Sequence, residues 1–169
     1  GETGNIVVNP ATHQAFVGWN DTQARIFSLN RDGLTGEVPG GVFNNAGRYL
    51  LALKGLEANQ VYVLNTDSNV TGSTDPVPGF LAVIDAAGTV VNTFSAGNGP
   101  FGGVVNQATG RVHIPAGGRG GQPGGVTVID PATSAVSSVN TSALFTSNLG
   151  RNIGVVEALG KAYVQAAVV

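Results

Sequence analysis

Four segments of this chain share one pattern: "NPATHQAFVGW", "GLEANQVYVLN", "NQATGRVHIPA" and "EALGKAYVQA". Each is a small polar turn that leads into a strand-like stretch, with an aromatic residue or histidine between apolar or small neighbours. The central residues are Phe16, Tyr62, His113 and Tyr163. They recur at roughly 50 residues, a period typical of repeat architectures, in which each unit buries its faces on its neighbours. A second series is interleaved with the first: "ARIFSLNRDGLTGEV", "GFLAVIDAAGTVVNTF" and "GGVTVIDPATSAVSSV". Each of these is an apolar strand, a turn opening on Asn30, Asp85 or Asp130, and another strand.

The two series together predict four strands per unit. In the third unit these are Gly102 to Asn106, Arg111 to Ile114, Gly125 to Ile129 and Ala135 to Val139. β-Branched content and the short apolar runs favour strands over helices. The turn residues have a mechanism: an Asp or Asn side chain accepts from the backbone two residues on, and Pro131 presets φ. "RYLLALKGLEANQ" has the composition of a helix, since Leu, Ala, Lys and Glu are good helix formers. Its place in the repeat is a first strand, so a strand is predicted. Apolar residues in succession, as in Val61-Tyr62-Val63, predict sheets packed on both faces.

Four strands per unit at this period indicate a β-propeller blade. "YVLN" at Tyr62 to Asn65, followed by "FLAVIDAAGTVVNTF", resembles the YVTN-type β-propeller repeats of bacterial and archaeal surface-layer and periplasmic proteins. "PFGGVVNQATGRVHIP" with "VTVIDPATSAV" resembles the same repeat. The first unit departs with "FSLN", and the third with His-Ile-Pro-Ala where the pattern has Tyr-Val-x-Asn. The resemblance implies an all-β fold, a β-propeller of four-stranded antiparallel blades. The expected units are about 4–40, 41–98, 99–143 and 144–169, or about three and a half blades of a partial ring. Members of this family generally have about seven blades, within the usual four to eight. A longer chain or self-association is therefore expected to close the ring, because an open stack exposes apolar sheet faces.

Composition narrows the function classes. The chain has 169 residues, a net charge of -2, 11% charged residues, 26 glycines and no cysteine. The charged fraction is under half of the usual share of about a quarter. The eight basic residues are scattered, so nucleic-acid binding through a basic face is not expected. No apolar run reaches the length of a membrane span, so membrane insertion is not expected. Without cysteine there is no disulfide, thiolate metal site or thiol nucleophile. Low charge with abundant Thr, Asn and Gly points to a secreted, periplasmic or cell-surface protein. The sequence lacks an initiator Met and a signal-peptide pattern, as expected of a mature or trimmed chain.

The run from Gly117 to Gly125, broken only by Arg119, Gln122 and Pro123, invites a phosphate-loop reading. A phosphate loop needs a Lys-Ser/Thr pair opening a helix. Here a strand, "VTVID", follows, so the run is read as a connection between the second and third strands of a unit. Such connections, together with those between units, are expected to gather on one face. That face offers Trp19, Asn20, Asp21, Asp67, Asp75, Asn98, Arg119, Asn148 and Arg151. Binding residues are often carried on loops over a rigid scaffold, so a protein or carbohydrate partner is expected there, with Trp19, Asn20, Asp21, Asp67, Asp75, Arg119 and Arg151 as candidates.

Catalytic constellations are missing from the sequence. No G-x-S-x-G elbow occurs. His113 fills the aromatic slot and is read as a packing residue, and His13 as an exposed turn residue. Asp85 and Asp130 recur at one position and are read as turn formers. No cofactor is expected. The one alternative is calcium held through oxygen by Asp67 and Asp75 with Asn65 and Asn69, although the spacing is not that of an EF-hand. The expected function is a non-enzymatic binding or scaffold module. The alternatives are a lactonase- or hydrolase-like propeller enzyme with a tunnel site completed by further blades, and a structural surface-layer or fibre protein.

Overall fold

The computed structural model describes residues 2–9, 13–20, 24–37, 49–54, 60–66, 78–85, 87–100, 102–116, 124–141 and 149–166. These residues form an all-β protein of four small antiparallel sheets, none of them closed. The first sheet holds β1 (Glu2–Asn9), β2 (Gln14–Asn20), β3 (Ala24–Asn30) and β4 (Gly33–Glu37). The second holds β5 (Tyr49–Lys54), β6 (Val61–Thr66), β7 (Pro78–Ile84) and β8 (Val90–Asn98). The third holds β9 (Val104–Val105), β10 (Val112–Ala116), β11 (Gly125–Asp130) and β12 (Ala135–Asn140). In the fourth, β13 (Leu149–Val156) and β14 (Lys161–Ala166) are joined through a single 3-10 turn at Glu157–Leu159. Strands neighbour each other in chain order within every sheet.

The segment with helical composition is β5, paired with β6 from Tyr49 opposite Thr66 to Lys54 opposite Val61. Pairing in a sheet overrides the propensity of its Leu, Ala and Lys residues. The strand bounds of the third unit differ from the sequence reading. β10 starts at Val112 and runs on to Ala116, and β11 and β12 each run one residue further, to Asp130 and Asn140. β9 is only Val104–Val105, not Gly102 to Asn106, because Asn106 already belongs to a turn. Its Oδ1 accepts from the Ala108 and Thr109 amides at 3.0 and 3.2 Å, and its carbonyl accepts from Gly110 N at 2.8 Å.

The third-to-fourth strand turns are held by the side chains that open them. Asn30 Oδ1 accepts from Asp32 N at 2.9 Å. Asp85 Oδ1 accepts from Ala87 N and Thr89 N at 3.0 and 2.9 Å. Asp130 Oδ1 accepts from Ala132 N and Thr133 N at 3.2 and 3.4 Å. His13 sits exposed in the first turn of the chain with φ +56°.

The second sheet is buried on both faces. Val61, Val63, Ala82 and Ile84 pack with Phe16 of the first sheet. Tyr62, Leu64, Leu81 and Val83, alternating with them, pack with Val105, Val112, Ile114 and Ile129 of the third. Side chains along a strand alternate between faces, so one run of consecutive apolar residues serves two interfaces. Leu64, Leu81, Ile84, Ile114 and Ile129 are fully buried, each contributing about 1.5–3 kcal/mol relative to exposure. The third and fourth sheets meet through β10 and β13. They are tied further by the Gln107 amide, which donates to Glu157 Oε1 at 3.0 Å.

Candidate binding cleft between the second and third sheets

At one end of the second and third sheets the strands part around a cleft of about 210 Å³. Its walls come from Gly97 and Asn98 at the end of β8, Ala116 at the end of β10, Gly124 to Thr127 around the start of β11, and Ser138 to Asn140 at the end of β12. Pro100 bridges to Ala116 and fastens the second sheet to the third at this end. Ala116 before the glycine-rich run and Gly124 and Gly125 at its end all line the cleft.

Small residues make the close approach here. Gly97 has φ +84°, and a β-carbon on it would lie 2.8 Å from Thr127 Oγ1. At Gly125 a β-carbon would lie 2.7 Å from the Val139 carbonyl oxygen. The rim beside Gly124 is pinned by Thr141, whose backbone N–H and Oγ1 both donate to the Gly124 carbonyl, at 3.2 and 3.1 Å.

The polar groups of the walls are the Asn98 and Asn140 amides and the Thr127 and Ser138 hydroxyls. None of the described residues lining the cleft carries a charge. Amides and hydroxyls both donate and accept, so the arrangement can pair with a ligand that does the same. Among the described residues no group of three or more His, Asp or Glu side chains is placed to hold a metal ion. No described helix is long and apolar enough to cross a membrane.

The sequence-derived candidates are spread over several places. Trp19 and Asn20 end β2, opposite Arg25 and Ala24 of β3. Arg151 lies near the start of β13. Asp21, Asp67, Asp75, Arg119 and Asn148 lie outside the described residues, as does Asn69 of the calcium alternative. Asn65 of that alternative is buried at the end of β6, with no hydrogen-bond partner for its Oδ1. Of the residues named from sequence, Asn98 lines the cleft. Gly97, Thr127, Ser138 and Asn140 were missed. Thr127 left a signal, being a hydroxyl inside the apolar strand "VTVID". The other three became neighbours only through the packing of two sheets.

His113 stands on the face of β10 turned away from the second sheet, in the slot read as a packing position. It is half-buried, and its Nδ1 is buried without a hydrogen-bond partner. Desolvation by burial lowers its pKa below the ordinary histidine value. A backbone hydrogen bond involving Arg111 opposes this, and the Arg111 charge adds to it. Arg111 itself pairs across the strands with Asp130, Nε to Oδ2 3.5 Å. No protein-family model matches the chain, and no curated protein does.

Proposed function

We propose that the chain is a β-propeller module of an extracytoplasmic protein that binds a neutral, hydroxyl-rich ligand, a carbohydrate, at the cleft between its second and third sheets. The meandering four-stranded sheets, stacked in chain order with the second buried on both faces, support the propeller reading. Low charge supports the compartment. The observation that carries the ligand class is the uncharged lining of Asn98, Thr127, Ser138 and Asn140. Among the described residues of those walls a phosphate or carboxylate would find no cation, whereas sugar hydroxyls would find both donors and acceptors.

At about 210 Å³ the cleft is smaller than the roughly 300–1,000 Å³ of sites for larger small molecules. It therefore suits one sugar residue of a longer glycan. A ¹H–¹⁵N NMR titration with neutral oligosaccharides tests this. The backbone amides of Gly97, Asn98, Gly125 and Asn140 are expected to shift together and saturably, and Asn98→Ala to weaken binding. The reading fails if no neutral saccharide moves those amides. Hydrolysis of the added glycan during the titration would favour the enzyme alternative instead.

A further inference from the structure

Of the asparagines in this sequence, only Asn98 is followed by glycine. The backbone nitrogen of the residue after an asparagine can attack the side-chain Cγ and close a five-membered ring. A side chain on that following residue crowds the nitrogen, and glycine has none. Asparagine is for this reason among the thermolabile residues of proteins. The reaction needs no reagent besides water. The bond from Gly99 N to Asn98 Cγ forms, the Cγ–Nδ2 bond breaks, and the Gly99 amide proton leaves with the departing ammonia. Water then opens the cyclic imide at either carbonyl, which leaves aspartate or isoaspartate at position 98.

The fold leaves this pair room to react. Asn98 ends β8 opposite Pro78 of β7, and a proline has no N–H to donate across the ladder. Gly99 has φ +60°, and a β-carbon on it would meet nothing within 4 Å among the described residues. Gly99 is buried, but Asn98 is half-buried and lines the cleft, so water reaches the ring from the cleft. Other asparagines are placed differently. Asn30 and Asn106 have their Oδ1 atoms engaged by turn amides. Asn92 and Asn140 are each followed by the β-branched side chain of a threonine.

We propose that Asn98 is a site of spontaneous deamidation in the folded chain, and that its conversion turns an uncharged cleft into an anionic one. An amide donates and accepts, whereas a carboxylate only accepts. None of the described residues lining the cleft carries a charge, so the new carboxylate sets the sign of the site. Isoaspartate also adds a carbon to the backbone just before Gly99 and Pro100. Pro100 bridges to Ala116 of the cleft wall, so that product shifts the wall as well. The deamidation does not depend on the carbohydrate reading of the cleft; the loss of ligand that follows from it does.

Ageing the folded chain in mildly alkaline buffer, with a urea-unfolded sample beside it, tests this by peptide mass mapping and an isoaspartate methyltransferase assay. In the folded sample residue 98 is expected to convert first, at least about tenfold faster than Asn92, Asn106 or Asn140. The side-chain amide signals of Asn98 should fade from the ¹H–¹⁵N spectrum at the same rate, while the Gly97 and Gly125 amides shift. Asn98→Gln would have to close a six-membered ring, so it is expected to keep its mass over the same period, with circular dichroism showing its strands intact. A folded chain that stays unconverted at residue 98 overturns the proposal, whether or not the unfolded chain reacts. So does earlier conversion of another asparagine. Titrating the fresh and aged chains with neutral oligosaccharides separates the two readings. Binding that falls in proportion to conversion supports both, and binding undiminished by conversion overturns the change of the cleft. Conversion in a chain that never bound a saccharide leaves the deamidation standing and removes the carbohydrate.

Discussion

Tyr62 and Tyr163 hold the same place in their strands, yet Tyr62 is 3% exposed and Tyr163 53%. The difference lies in the neighbouring sheet. Tyr62 is covered by Val112, Ile114 and Ile129 of the third sheet, and Tyr163 has no covering sheet among the described residues. The two tyrosines should therefore respond very differently to truncation. Tyr62→Ala empties a position between two sheets and is expected to cost about 3–5 kcal/mol. Tyr163→Ala is expected to change stability by about 0.5 kcal/mol or less, as for an ordinary surface site. Denaturant unfolding at low protein concentration measures both, and equal losses would contradict the assignment of faces.

The turn at Asp130 separates a hydrogen-bonding role from a charge role. Its Oδ1 accepts from two backbone amides and its Oδ2 meets Arg111. Asp130→Asn keeps the first set and removes the ion pair, an exposed one worth about 0–1 kcal/mol. Asp130→Ala removes both and leaves the turn amides to water, for a further loss of about 1 kcal/mol. Thermal unfolding should accordingly rank the unaltered chain and the Asn variant close together, with the Ala variant below. A chain in which Asn and Ala are equally damaging would make the carboxylate charge, not the turn, the function of Asp130.

The strands and turns were legible in the sequence because their causes are local. Asp85 and Asp130 announce their turns through side chain to backbone bonds that span two to four residues, and Val61-Tyr62-Val63 announces a strand buried on both faces. The cleft was not legible, because Gly97 and Thr127 are brought together only by the packing of two sheets. Nothing in the spacing of residues 97 and 127 encodes that approach. The shortness of β9 was hidden for another reason: Asn106 reads as the end of a strand until its side chain is seen turning back onto the Ala108 and Thr109 amides.

Gly97 and Gly88 form a matched pair for testing that approach. Both have positive φ, +84° and +82°, but a β-carbon at Gly88 would meet nothing within 4 Å, whereas at Gly97 it would lie 2.8 Å from Thr127 Oγ1. Alanine at either position bears the left-handed backbone cost of about 1–2 kcal/mol. At Gly97 the intrusion on Thr127 adds to it, so Gly97→Ala is expected to be the more destabilising in denaturant titrations. Combining Gly97→Ala with Thr127→Ala should recover part of the difference, because the obstructing hydroxyl is removed. Equal losses for the two alanine variants would mean that the sheets do not approach each other at Gly97.

His113 gives the fold a pH dependence whose sign follows from its burial. Its folded-state pKa lies below the ordinary value of 6.5, chiefly because burial disfavours the imidazolium. The folded chain therefore binds fewer protons than the unfolded chain once the pH falls below that value, and stability drops as pH drops. The contribution of neutral His113 is complete above pH 6.5 and is lost as the pH descends through the lowered folded-state value. The Arg111 charge beside it opposes protonation. His13 is exposed in its turn, so it serves as the control. Urea midpoints measured between about pH 8 and pH 5 should fall for the unaltered chain and for His13→Gln. They should fall less for His113→Tyr, which places in β10 the residue that β6 and β14 carry at the same position. An acid response as steep in His113→Tyr as in the unaltered chain would assign the loss to the carboxylates instead.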